Sequence, residues 1–406
     1  MSEKPIVYWA PPIEIGAIKN TKDNMITNNL VKTRMILYKI LDNINAGDNI
    51  AVKVHVGEAH NTRYLRPDYV REVVNAIKEK GGIPTLVETH GLGLHAQTID
   101  FSCDYSICIS HRTNSVDHEK IAKLHGYSEC IVGAPIKFID GKNGRQGVVQ
   151  VIDGSQLKKV SIASELFDFD KIVVISHFKG HVQAGYGGAL KQLGIGCVSK
   201  KNKYLAHFES LLSVDLDKCD ISKCETQCAT VCPVEAVTIQ ANKAIIDRNK
   251  CYGCFLCTTS VGCPVEDVIK RPEMNEIPDM VERYIDNALG VISAIGSEKF
   301  RYINFAFDIA ASCDCASNPG APIIPDLGIF GSKDPVAIDK ACINAEINAP
   351  SLPFMNNEGI WTTSLPPGVE KFKALSAYKD VVDVDRTFEA ALKLNLGSTD
   401  YEIIKI

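Results

Sequence analysis

The chain has 406 residues, 45% of them hydrophobic, and a formal net charge of −5. That is enough apolar material for one large core, or for two domains and a smaller one. The charge balance, without any basic run or stripe, argues against nucleic acid or an anionic membrane surface as a partner.

Residues 1–9 lack the charged–apolar–small pattern of an export signal. No apolar run reaches the roughly 18 residues of a membrane span, so a cytoplasmic protein with no membrane insertion is expected. Residues 6–8 read as a short strand. Residues 30–44 place Leu30, Leu37, Leu41 and Ile44 at helical spacing, and Gly47-Asp48 then breaks the pattern. Residues 49–56 alternate as a strand does. Residues 68–80 put Val70, Val73, Val74 and Ile77 on one helix face, with Pro67 before them and Gly81-Gly82 after. Strands are expected at 84–88, 171–176 and 302–309, and helices at 278–294 and 334–347. The rhythm predicts an α/β fold with mainly parallel sheets and flanking helices. It is interrupted by a cysteine-rich segment read as a small ferredoxin-like α+β unit. The expected organisation is a first α/β part over residues 1–213, an insertion over 214–272, and a second α/β part over 273–406.

Fifteen cysteines are many for such a chain, and eight of them lie between Cys219 and Cys263. Dense local cysteine without an export signal favours metal over disulfides. The motif C-x2-C-x2-C-x3-C-P, written twice, is the ligand pattern of bacterial two-cluster ferredoxins, in which the fourth cysteine of each run serves the other cluster. Cys251, Cys254 and Cys257 followed by Cys263-Pro264 form one copy, and Cys219, Cys224 and Cys228 followed by Cys232-Pro233 form the other. Two [4Fe–4S] clusters are therefore expected, one on Cys251, Cys254, Cys257 and Cys232 and one on Cys219, Cys224, Cys228 and Cys263. The first copy is spaced wider than the motif, which leaves a single cluster beside a degenerate or zinc site as an alternative, and structural zinc as another.

Several further stretches carry a resemblance. They are Val56-Gly-Glu58 through Arg66-Pro67, His177-Phe-Lys-Gly-His181, Gly185-Tyr-Gly-Gly-Ala-Leu-Lys191, and Asp314-Cys-Ala-Ser-Asn-Pro319. Residues 328–341 and Leu396-Gly-Ser398 add to them. Together they resemble the iron–sulfur-centre proteins of domain-of-unknown-function family 362 over nearly the whole chain. That resemblance implies that the ferredoxin segment interrupts one α/β domain. The stretch from His177 to His207 also resembles, more distantly, nickel-dependent lactate racemase. By that resemblance Lys191 would tether a nickel pincer cofactor, His207 would ligate the nickel, and His181 would be one proton acceptor. His111-Arg112 or His95 would supply the other acceptor, and Arg63 would hold a carboxylate.

Read from the residues, His177, Lys179 and His181 follow a predicted parallel strand, where α/β folds place their chemistry. The turn at Gly185, Gly187 and Gly188 would let backbone approach a ligand closely. Cys313-Asp-Cys315 could bind metal or exchange disulfides if a thiol pKa is lowered. Cys103, Cys108, Cys130 and Cys342 read as small core residues, with Cys197 intermediate. No dinucleotide fingerprint, P-loop or nucleophile elbow is present. The leading expectation is an oxidoreductase or electron-transfer protein. It would exchange electrons with a low-potential partner such as a ferredoxin, and use a cleft of His177, Lys179, His181, Lys191 and His207 for a small anionic substrate. The alternatives are a racemase-like isomerase and an electron carrier or docking module without an active site. Whether the cleft holds a second cofactor is left open.

Overall fold

The computed structural model describes residues 3–12, 28–92, 94–95, 109–208, 212–248, 250–259, 262–270, 277–356, 358–376 and 379–406. In chain order the strands that frame the site are β1 (Ile6–Ala10), β2 (Asn49–Lys53), β3 (Ile83–Glu88), β4 (Ile136–Phe138) and β5 (Lys171–His177). They are followed by β6 (Lys179–His181), β7 (Gly185–Gly187), β8 (Phe300–Ala306), β9 (Gly328–Ser332) and β10 (Glu402–Lys405). The helices used below are α1 (Asn29–Ile40), α2 (Pro67–Glu79), α3 (Ala189–Gly194), α4 (Lys200–His207), α5 (Ile277–Ile295) and α6 (Pro335–Asn348).

An eight-stranded sheet runs in the order β10-β1-β9-β8-β5-β2-β3-β4. Only β9 opposes its neighbours, β1 and β8; every other pairing is parallel. The sequence explains the burial. Strand β5 reads KIVVISH and is buried from Ile172 onward, and β8 is buried throughout, as strands covered on both faces require. Their side chains alternate between two cores. Ile172 and Val174 meet α3, α5 and α6 on one face, while Val173 and Ile175 meet α1 and α2 on the other. Helix α2 opens on Pro67 and buries Val70, Val73, Val74 and Ile77. Helix α6 is capped by Asp334, whose carboxylate accepts from Val336 N and Ala337 N.

The mainly parallel α/β reading therefore holds, and the differences lie at element ends. The first helix stops at Ile40 rather than running to Ile44, and the strand expected to reach Val56 stops pairing at Lys53. The glycine-rich turn is instead one arm of a hairpin, since β6 pairs with β7 through Lys179↔Gly187 and His181↔Gly185.

Strands before and after the cysteine-rich segment are sheet neighbours, with Phe300↔Ile172 through Phe305↔His177 in parallel register. The two ends of the segment pair with each other, Ser213↔Lys270 and Val214↔Ile269. Inside it, strands Val237–Gln240 and Lys243–Ile246 form a hairpin. Among the described residues no helix is long and apolar enough to cross a membrane.

Candidate functional site

A cavity of about 310 Å³ opens where β2, β3, β5 and β8 end. Glu88 and His177 are the last residues of β3 and β5, and Cys313 follows β8. The C-terminal edge of parallel strands is where such folds gather functional groups, because the chain leaves the sheet there in loops free to vary.

Asp314 organises one wall. Its buried carboxylate meets His177 Nδ1 at 2.9 Å and Lys179 Nζ at 3.1 Å. The other nitrogen of His177 contacts the Phe307 carbonyl at 2.7 Å, so both ring nitrogens are engaged and neither is free for a ligand. Burial alone would raise the Asp314 carboxyl, but His177 and Lys179 hold it below the ordinary carboxylate range. Burial likewise opposes the charge on Lys179, and Asp314 more than offsets it, leaving the ammonium strengthened.

His181, Lys191, Cys313 and Cys315 form the next group. His181 Nδ1 accepts from Gln183 N at 3.2 Å and Ala184 N at 2.9 Å, and burial keeps the ring neutral, so its proton sits on Nε2. Lys191 Nζ lies 3.7 Å from Cys313 Sγ. The helix carrying Lys191 is held by Asp339, which accepts from Ala189 N at 2.8 Å and Leu190 N at 3.0 Å. Glycine is required at 188, because a Cβ there would sit 2.4 Å from Asp339 Oδ1.

The opposite wall carries paired charges. Glu58 accepts from Arg112 Nε at 3.0 Å, Ser110 Oγ at 2.7 Å and His111 N at 3.0 Å. Burial would raise this carboxyl, but Arg112 and the hydrogen bonds hold it well below its usual range. Glu88 pairs with Lys53 at 2.7 Å and with His55 Nδ1 at 3.0 Å. Among the described residues Lys203 forms no ion pair: its Nζ donates to Thr89 Oγ1 at 2.7 Å and the His90 carbonyl at 2.5 Å, and burial brings its pKa down to about 8. His207 Nδ1 donates to the Lys203 carbonyl at 2.7 Å, which leaves Nε2 as an acceptor, and burial brings this ring down to about 4. Among the described residues neither Lys191 nor Lys203 forms an ion pair with a carboxylate.

The eight cysteines of the cysteine-rich stretch fall into two groups. Cys232, Cys251, Cys254 and Cys257 line one small cavity with Leu212, Val234 and Ile246. Burial and then Cys254, Cys251 and Cys232 push the Cys257 thiol up to about 12. Cys228 is raised by burial and then by Cys263, Cys224 and Cys219, its neighbours in the second group. The backbone repeats as well: Thr226 and Phe255, each two residues before the third cysteine of its run, both have positive φ, 59° and 64°. Helix α4 joins these cysteines to the main cavity. Lys203 and His207 line the cavity, while Lys200 Nζ stands 4.9 Å above the Tyr252 ring and Tyr204 packs on Phe255. Phe208 does both, lining the cavity and meeting Phe255 edge-on at 5.1 Å.

Residues 50–344, more than half of the chain, match the family model described as Domain of unknown function (DUF362). The chain belongs to this family. No curated protein matches the DUF362 chain. Among solved structures, a Thermotoga maritima protein is similar over 68% of this chain and 50% of its own, with 12% identity and a TM-score of 0.33. The lactate racemase apoprotein from Thermoanaerobacterium thermosaccharolyticum is similar over 75% of this chain and 51% of its own, with 10% identity and a TM-score of 0.30. The DUF362 chain spans about half the length of these structures.

Within the DUF362 chain the structure brings His177, Lys179, His181, Lys191, His207, Gly187 and Gly188 to one cavity. It does not bring Arg63 or Gly185 there. Arg63 instead pairs with Asp308 at 3.0 Å, and Gly185 turns the hairpin beneath Val382 and Val384. His111 stands outside the lining, its ring 6.2 Å from that of His60, whereas Arg112 is in the wall. The side chain of His95, and Cys103 and Cys108, lie outside the described residues. Cys197 and Cys342 are buried as core residues are, but Cys130 is exposed beside Ser128, so its apolar sequence neighbours misled. Glu58 and Asp314 lie in stretches that carry the family resemblance but had been given no role, and Glu88, at the end of an apolar strand, and Lys203 had not been singled out.

Proposed function

We propose that the protein is an iron–sulfur oxidoreductase in which residues 214–272 form an inserted two-cluster unit that serves the anion-binding cavity. The observation that carries this reading is the placement of α4 and Phe208 between Cys251, Cys254 and Cys257 and the cavity. The four thiols around one apolar cavity, and the second group of four beside them, fit the donor set of [4Fe–4S] clusters. Clusters held there would supply electrons one at a time, drawn from a low-potential partner such as a ferredoxin. The chain's own residues do the rest. Lys191 and Lys203 attract an anionic substrate, His181 offers its Nε2–H as a donor, and His207 offers Nε2 as a proton acceptor. The protein is expected in the cytoplasm, where thiols stay reduced.

The grouping itself is testable. In anaerobically purified protein, Cys232→Ser and Cys257→Ser should each lose the same half of the iron, and Cys263→Ser and Cys228→Ser the other half. Loss of the same half in Cys232→Ser and Cys228→Ser would contradict the crossed assignment.

A second reading has one observation in its favour. Lys191 and His207 face the same cavity, and the His207 tautomer leaves Nε2 open to a metal. A nickel-dependent isomerase would then be expected to carry about one nickel per chain, and nickel-free protein with full activity would remove this reading.

A further inference from the structure

We propose that Cys313 and Cys315 are a redox-active dithiol that reduces a small anionic disulfide bound in the cavity. The two Sγ atoms and a ring nitrogen of His181 all lie within 4.8 Å of one another. A turn closed by Ala316 N–H on the Cys313 carbonyl at 3.0 Å folds the two cysteines together. Cys313 Sγ accepts from Cys315 N at 3.4 Å and faces Lys191 Nζ at 3.7 Å. The hydrogen bond from the Cys315 thiol, and after it Lys191 and Lys179, outweigh burial and hold the Cys313 thiol well below its ordinary range. Cys315 moves the other way, as the proton-bearing member. Both thiols face the cavity.

The same three residues could be read as a metal site, but the surroundings oppose a cation. Two lysines flank Cys313, and His181 presents a proton rather than a lone pair at Nε2. The arrangement stabilises a thiolate instead. In the reaction, the Cys313 thiolate attacks one sulfur of a disulfide RSSR′. The S–S bond breaks, a mixed disulfide forms on Cys313, and R′S⁻ leaves. R′S⁻ takes the proton of Cys315, whose thiolate then attacks Cys313 Sγ and expels RS⁻. The substrate is reduced to a thiol R′SH and a thiolate RS⁻, which takes its proton from water, and the pair is oxidised to its disulfide. Return of two electrons to the pair rests on the iron–sulfur reading; the exchange does not.

The full chain, purified anaerobically with its iron measured, is treated with dithiodiglycolate and digested with trypsin. Peptide 302–333 contains Cys313 and Cys315 and no other cysteine. It should become about 2 Da lighter and resist alkylation as two thioglycolates are released. Cys315→Ser should instead carry one thioglycolate on Cys313. The neutral 2-hydroxyethyl disulfide should react about tenfold more slowly, an advantage that Lys191→Met should remove. A peptide that remains a dithiol, with no adduct in Cys315→Ser, overturns the proposal. So does a bound metal that is lost in Cys313→Ser. Intact exchange in a protein without iron would sustain this proposal while removing the cluster reading.

Discussion

Asp314→Asn tests how the cavity wall is held. The carboxylate is 1% exposed and meets His177 at 2.9 Å and Lys179 at 3.1 Å. Lys179 is itself only 7% exposed on its side chain, so the substitution strands an ammonium that burial already disfavours. Removing one partner of a buried pair costs about 3–5 kcal/mol, mostly as the uncompensated charge left behind. Asp314→Asn should lose this much in urea unfolding at pH 7 under anaerobic conditions, and Asp314→Asn with Lys179→Met should recover at least half of it. The sign with pH follows from the depressed Asp314 pKa. The unfolded state binds more protons as pH falls toward the ordinary carboxylate range, so the contribution is complete above that range and is lost in acid below it. The difference between wild type and variant should therefore be flat from neutral to mildly acid pH. A loss below about 1 kcal/mol, or a double variant as unstable as the sum of the singles, would refute a wall held by this charge pair.

Gly253→Ala places a Cβ 1.9 Å from the Tyr204 ring at a φ of +73°, and should cost about 1–3 kcal/mol together with loss of iron from the adjacent quartet. Urea midpoints and iron analysis check it. His207 is neutral down to about pH 4 when folded, so between about 4 and its ordinary 6.5 the unfolded chain binds the extra proton and stability rises with pH. His207→Gln should flatten that slope in unfolding curves measured at pH 7, 6 and 5. Lys203→Met should weaken binding of a small dicarboxylate about tenfold, a 1.4 kcal/mol change read by calorimetry, without lowering stability, because it removes a buried charge that forms no ion pair among the described residues.

What could be read from the chain was local. Residues 171–176 announce a doubly covered strand by an unbroken apolar run, and Val70 to Ile77 announce a helix face by their spacing. The two cysteine groups follow from a ligand pattern written in consecutive residues, and His177 to Lys191 from their place after a parallel strand. What escaped was non-local. His177 meets Asp314 across 137 residues, and Lys191 meets Cys313 across 122. No spacing rule links such pairs; the parallel pairing of β5 with β8 does so only once the sheet has formed. Arg63 shows the converse: the resemblance to nickel-dependent lactate racemase implied a carboxylate clamp there, whereas the fold turns it toward Asp308. Strand β9, with two glycines in GIFGS, lacks the periodicity that would have marked it as the one antiparallel member.

The proposed oxidoreductase requires electron-carrying clusters on the two groups of four cysteines beside the cavity. Iron and acid-labile sulfide analysis of anaerobically purified protein, with EPR after dithionite reduction, decides whether they are there. About eight irons and eight sulfides per chain, with a spin-coupled signal from two reduced clusters, is the expected result. Zinc without sulfide, and no paramagnetic signal on reduction, would contradict it.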